Sequence, residues 1–367
     1  MKNRKIIFTV INDLNYDQRM IRICKSLVGD GYDVQLVGRK LNNSKPLQNQ
    51  PFQQKRFNCF FQKGKFFYLE YNLRLFFFLL LEKYDAVCAI DLDTVLPAFY
   101  VARWRKKKMI YDAHEYFTEV PEVVRRPQVK KIWEWVAEKT IPKCTYCYTV
   151  GDSLAKIFKE KYSTPFEVIR NVPEGNKIQT DEFENQTNII LYQGALNEGR
   201  GLEEMLEAMT AINDAQFWLV GEGDLSDFLR KKTKELQIED KVKFLGYLLP
   251  QELRKITPQA TIGINFLHQT SLNYYYSLAN KTFDYALAKV PAIHMGFPEY
   301  KHLMKEYEVG ILINDLKKET ILNAVNKLLQ EKEFYQKLKN NCKQASQVWN
   351  WQQEEKKLLA FYKKVFS

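Results

Sequence analysis

The chain has 367 residues, of which 46% are hydrophobic and 27% charged, and its formal net charge is +11. That is longer than one hydrophobic core usually serves and ordinary for a soluble globular protein, so two domains are expected and no low-complexity or short-repeat architecture is. The positive charge suits solubility, nucleic acid or an anionic membrane surface; with no zinc-finger spacing, RNP-type sequence or uniformly basic helix, nucleic acid is set aside as a partner.

Met1-Lys-Asn-Arg-Lys5 runs into Ile6-Ile-Phe-Thr-Val-Ile11, a strand pattern too short for a signal peptide or a bilayer span, which predicts a cytoplasmic protein. The spacing of Met20, Ile21, Ile23 and Leu27 predicts a helix over 17–27, broken by Gly29 and Gly31 and followed by a strand at 33–37. The stretch from Phe66 to Leu81 reads as an aromatic-rich helix with Lys63 and Lys65 before it. It fits either a core helix or one lying in a membrane interface beside a lipid-linked acceptor, which would make the protein peripheral on the inner face of the membrane. Further strands are expected at 85–90, 108–111, 144–150 and 167–170, and a helix at 153–162 with Asp152 as its N-cap. Cys144 and Cys147 have metal-ligand spacing, but residues three apart on a strand face opposite ways and no second such pair exists, so both read as core.

Strand–helix alternation predicts a parallel doubly wound sheet, whose ligands bind beyond the carboxyl ends of the strands. Residues 12–16, 91–94 and 112–115 therefore attract attention in the first half. The polar stretch 173–187 reads as a linker between a domain over 1–172 and a second over 188–347, with residues 348–367 forming a helix that crosses back to the first. In the second half strands are expected at 189–192, 216–220, 242–245, 261–265 and 292–294. Helices are expected at 202–211, 225–236, 250–256 and 282–288, then a helical, charged tail from 318 to 366. Two similar α/β halves imply a ligand cleft between them.

The strongest chemical signal is Tyr192-Gln-Gly-Ala-Leu-Asn-Glu-Gly-Arg-Gly-Leu202, a strand end, a glycine-bearing turn and a helix start. Free N–H groups at a helix start, with Arg200 beside them, suit a diphosphate. A second helix start lies at Asn280-Lys-Thr-Phe-Asp-Tyr285, where Lys281 adds a cation and Asp284, one turn in, offers paired acceptors to a ribose diol. Either segment alone also reads as a plain turn or a surface ion pair.

Together these elements resemble the group-1, retaining glycosyltransferases of the GT-B fold over nearly the whole chain. The family pattern of a Y-x-G turn with R-G-L-E, then V-G-x-G, V-x-F-x-G and N-K-x-F-E-Y is met by Tyr192, Gly194, Arg200–Glu203, Val220–Gly223, Val242–Gly246, Asn280–Tyr285 and Pro291. In the first half Asp91–Thr94, Tyr111–Glu115 and Ile169–Pro173 are similar to family blocks. The resemblance implies two Rossmann-like α/β domains facing across a cleft. It implies transfer of a sugar from a nucleotide-diphosphate sugar, as co-substrate, to a glycan or lipid-linked acceptor, with no tightly bound cofactor and no strict need for a metal. It gives Gly194, Arg200, Gly221, Asn280, Lys281 and Asp284 to the donor, and His114, Arg200 and Lys281 to catalysis. The chain departs from the family where Ala195 replaces an arginine, Tyr276 stands at the first glutamate and Asp284 replaces the second. Those departures keep open an inactive nucleotide-sugar-binding homologue. Asp91-Leu-Asp93 is a DxD sequence and keeps open a metal-dependent transferase. An epimerase is disfavoured, because residues 12–17 after the first strand contain no glycine.

Overall fold

The computed structural model describes residues 4–175 and 187–367. Most of the expected linker lies outside the described residues. The chain divides into two compact units, one of residues 1–171 with 354–367 and one of residues 172–353.

The first unit is built on seven strands: β1 (Lys5–Thr9), β2 (Asp33–Lys40), β3 (Gln53–Asn58), β4 (Ala86–Ile90), β5 (Lys108–Ala113), β6 (Tyr146–Thr149) and β7 (Glu167–Val168). Their order is β3-β2-β1-β4-β5-β6-β7, with every pairing parallel. The central strands are apolar on both faces, as a sheet covered on both sides requires. Because β1 pairs with both β2 and β4, the strand order reverses there, which opens the ends of β1 and β4 to a ligand. Right-handed crossovers put the Gly64–Leu81, Val95–Trp104 and Pro127–Thr140 helices on one face, because all three connections step the same way across the sheet. The C-terminal helix Trp351–Phe366 packs on the sheet through Tyr362, 6.1 Å from the Phe8 ring, and Phe361, 5.1 Å from the Tyr148 ring.

The second unit carries β8 (Asn188–Gln193), β9 (Ala215–Val220), β10 (Val242–Gly246), β11 (Ile262–Asn265), β12 (Ala292–Met295) and β13 (Gly310–Ile313). The order is β10-β9-β8-β11-β12-β13, again parallel, with its reversal at β8 and β11. One layer of its core joins Ile189, Leu191 and Val220 to Tyr285, Ala288 and Val290. Tyr285 donates its hydroxyl to the carbonyls of Leu191 (2.9 Å) and Ile264 (3.2 Å), which fixes its helix against both strands.

Several elements differ from expectation for identifiable reasons. β3 was not expected, because an edge strand reading Gln-Gln-Lys-Arg-Phe-Asn buries too little to show an apolar pattern. The helix after β6 starts at Asp152, so Gly151 is the cap and Asp152 a first-turn acid. Cys144 precedes its strand, and both it and Cys147 are buried and free. The charged tail is three helices, Lys318–Gln330, Lys332–Val348 and Trp351–Phe366.

Candidate functional site

The turn after β8 is shaped by glycines that nothing else can replace. Gly194 has φ +137°, and a methyl built on it would lie 3.4 Å from Lys281 Nζ. Gly221, at the end of β9, has φ +132°, and a methyl there would come within 2.0 Å of the Gly194 carbonyl oxygen. Gly221 therefore lets one turn lie on the other, with the Gly194 N–H bonded to Val220 O at 2.9 Å. The same turn ends at Gly201, the cap of the Leu202–Met209 helix.

Two cations converge here. Lys281 opens the Lys281–Leu287 helix, is 8% exposed, and holds its Nζ 3.7 Å from the centroid of the Tyr192 ring. Burial, and then the nearby Arg200, pull the Lys281 ammonium well below its ordinary value, with Asp284 pulling the other way. The Arg200 guanidinium lies over the Tyr274 ring at 4.9 Å, and its buried Nε has no hydrogen-bond partner among the described residues. Neither cation forms a salt bridge among the described residues; each rests on an aromatic face. His294 beneath them is held down at about 3 by burial and by Lys281, so it is neutral and adds no third charge. Asn280 is the exposed cap of the Lys281 helix. Asp284, one turn in, accepts a hydrogen bond from Gln193 Nε2 at 3.0 Å. Gly194, Arg200, Gly221, Asn280, Lys281 and Asp284 are thus brought to one turn-and-helix pair. Tyr276 sits just outside it, its ring 4.9 Å from that of Tyr275.

A second cluster stands in the first unit, at the ends of β4 and β5. His114 donates its backbone N–H to Asp91 Oδ1 at 2.8 Å, and its Nε2 is 2.9 Å from Asp112 Oδ2. Arg19 reaches the same Nε2 from Nε at 3.0 Å and pairs with Asp112 Oδ1 at 3.2 Å. Nε2 serves one of those partners at a time. Burial, and then Arg19, oppose the His114 charge, but the charge and hydrogen bond of Asp112 together with Asp91 raise the imidazole above its usual value. Nε2–H donation to Asp112 is the favoured state. Burial likewise opposes ionisation of Asp112, yet Arg19 holds its carboxyl below the usual range. Asp91 takes a strained φ of 51° to reach the His114 amide, and burial pushes it up to about 6. Asp93 is raised further by burial and by Asp91, and it lies in a 3-10 turn over 92–94, after which Thr94 caps the following helix. Among the described residues no three His, Cys, Asp or Glu side chains are grouped as a metal would need.

Sequence reasoning passed over Arg19 and Thr257, and it named Tyr192 and Gln193 only as parts of the turn motif. Arg19 had a readable signal: it shares the 19, 23, 26, 27 stripe that its helix buries. Gln193 had another, a polar residue in register with the buried Ile189 and Leu191 on one strand face. Nothing marked Tyr192 or Tyr274 as seats for the cations.

Residues 175–345 match the family described as glycosyl transferases group 1. An uncharacterized glycosyltransferase of Methanocaldococcus jannaschii is 23% identical over 190 residues, 51% of this chain and 46% of that protein, so the match spans about half the length of this curated relative. Among solved structures, sucrose-phosphate synthase from Thermosynechococcus elongatus superposes with a TM-score of 0.80 at 14% identity, covering 99% of both chains. The Anabaena protein HepE in complex with UDP and glucose gives 0.79 at 13% identity, covering 99% of this chain and 100% of that one. These likenesses establish the two-sheet fold of GT-B glycosyltransferases. The match to the group 1 glycosyltransferases thus covers residues 175–345, and the likeness in fold extends over 99% of the chain.

Proposed function

We propose that the chain transfers a sugar from a nucleotide-diphosphate sugar to a glycan or lipid-linked acceptor, with retention of anomeric configuration, in cell-surface polysaccharide or glycolipid synthesis. The observation that carries this reading is the pairing of Arg200 with Lys281. Burial and then Arg200 pull down the charge of Lys281, and neither basic side chain forms a salt bridge among the described residues, so the two are costly to charge together unless an anion arrives. A diphosphate supplies that anion, and the glycine turn lets its oxygens approach the backbone. HepE, a relative in fold, was solved with UDP and glucose.

Breaking the anomeric C–O bond leaves positive character on the sugar and negative charge on the diphosphate. Arg200 and Lys281 stabilise the second, and most strongly when the bond is broken. The departing phosphate oxygen then takes the proton of the attacking hydroxyl, which enters on the same face. We assign His114, oriented by Asp91 and Asp112, to the transferred sugar. Ala195, Tyr276 and Asp284 mark where donor-sugar contacts differ from the family's. A transfer assay over UDP-, GDP-, ADP- and CMP-sugars, with product stereochemistry read by NMR, tests the reading. Retained configuration without a trappable glycosyl-enzyme is expected; an inverted product, a covalent intermediate or no turnover with any donor contradicts it.

We also propose that the first unit rests on an anionic membrane surface. The Gly64–Leu81 helix buries Phe67, Tyr71, Leu75, Phe78 and Leu79 but exposes Phe66, Leu69, Leu73, Phe77 and Leu81, beside exposed Lys63, Lys65 and Lys83. No helix among the described residues is long and apolar enough to cross a membrane. An exposed apolar stripe rimmed by lysines suits the interface of a bilayer instead. Flotation with phosphatidylglycerol vesicles, lost on Phe66→Glu/Leu73→Glu, is the expected result; equal recovery with neutral and anionic vesicles opposes it.

A further inference from the structure

Gln193 ends β8, immediately before Gly194, and is 3% exposed. Alternation along the strand puts it on the face of Ile189 and Leu191, where an apolar side chain would extend the core. A buried amide there must have each end satisfied. Its Nε2 donates to Asp284 Oδ2 at 3.0 Å, and its Oε1 accepts from Thr257 Oγ1 at 2.9 Å. The chemistry fixes the orientation of the amide, because an ionised carboxylate can only accept and the threonine hydroxyl is the group that donates. Thr257 is itself 4% exposed, and its one hydroxyl proton has both Gln193 Oε1 and Leu253 O at 2.9 Å, serving one of them at a time.

We infer that Gln193 and Thr257 are positioning residues that aim the Asp284 carboxylate at the ribose of the bound nucleoside diphosphate. This inference rests on the donor pocket proposed above. Asp284 is too short to span far from its helix, and the Gln193 amide, rooted in the adjacent strand, holds it from the opposite side. The consequence is a fixed spacing. One strand end presents Gly194 to the diphosphate and, one residue earlier, secures the carboxylate for the sugar of the nucleoside. The relay thus gives the site its preference for ribose over deoxyribose.

The test is calorimetric binding of UDP, GDP and ADP, then of the 2′-deoxy and 3′-deoxy forms of the tightest. Wild-type protein is expected to prefer the ribonucleotide by about tenfold, the value of one hydrogen bond to a charged group. Gln193→Leu and Asp284→Ala each bring the ratio close to one, and the double variant loses no more than either alone. At saturating donor, Gln193→Leu raises KM and leaves kcat within about threefold, since the phosphate contacts that act in the transition state are untouched. Thr257→Val, which removes a hydroxyl without changing shape, gives an intermediate ratio and covers the case in which Gln193→Leu folds poorly. A ribose preference unchanged in both Gln193→Leu and Thr257→Val, or losses that add in the double variant, overturns the inference while leaving the pocket standing. Wild-type protein that binds none of the three nucleotides overturns the pocket itself, and the inference with it.

Discussion

In the proposed reading Arg200 and Lys281 carry the chemistry, and their surroundings suit that role. In that reading, a lysine buried against a tyrosine ring costs the free protein stability, and an incoming diphosphate relieves the cost. Lys281→Met should therefore raise the melting temperature of the free protein by a few degrees, roughly the effect of about 1 kcal/mol in a domain of this size, while abolishing nucleotide-induced stabilisation. Arg200→Ala should cost about a hundredfold or more in turnover with the melting temperature kept, the usual loss for one donor to a developing anion; wild-type rates would contradict its role. The pH dependence follows from the lowered Lys281 value. Between its folded value and the ordinary 10.5, the unfolded chain binds more protons than the folded one, so the contribution of Lys281 to stability rises with pH across that window. Donor binding has the opposite slope, because pairing with a diphosphate returns the proton. Within that window, calorimetry in buffers of different ionisation enthalpy should show proton uptake on nucleotide binding, with affinity falling as pH rises; binding without proton uptake would contradict it. At this scale Arg200, Lys281 and Asp284 were legible because their segments read as anion- and diol-binding helix starts. Tyr192, Tyr274 and Gln193 were not, since their roles arise from residues far away in the chain.

At the scale of elements, the glycine turns hold the site. Gly221→Ala would drive a methyl into the Gly194 carbonyl, so the β8 and β9 turns must separate. A loss of about 2–4 kcal/mol, from overpacking and from the positive φ together, and a loss of nucleotide binding are expected. Gly31→Ala is the control. Its φ is +89°, but a methyl there meets nothing within 4 Å, so it should cost only about 1–2 kcal/mol in the first unit and leave binding intact. Nucleotide binding unchanged in Gly221→Ala would show that the two turns do not shape the pocket. The buried strands were readable from their apolar runs, whereas the order of the strands, and with it the reversal point of each sheet, was not. β3 was not, because an edge strand of glutamine, lysine and arginine lacks the apolar pattern that marks a buried one. The Pro127–Thr140 helix also escaped notice; its proline at the first helical position was the available signal.

For the whole molecule, the two units differ in how they are closed. The first takes in residues 354–367, whose Leu358, Phe361, Tyr362 and Val365 are almost fully buried. Each such side chain contributes about 1.5–3 kcal/mol relative to exposure. A chain ending at Gln353 should lose the cooperative melt of the first unit and keep that of the second, as hydrogen exchange resolved by peptide would show; protection in residues 5–113 equal to that of the full chain would contradict this. The family match covers residues 175–345, so the proposed donor side has sequence likeness and geometry behind it, whereas the cluster of Arg19, Asp91, Asp112 and His114 rests on its own geometry. The central claim is that an anionic nucleotide completes the Arg200–Lys281 pair. Titration calorimetry of UDP, GDP and ADP tests it most directly. The account predicts that at least one binds at one per chain and that its binding disappears in Lys281→Met. Absence of binding by all three, or equal affinity in Lys281→Met, would contradict it.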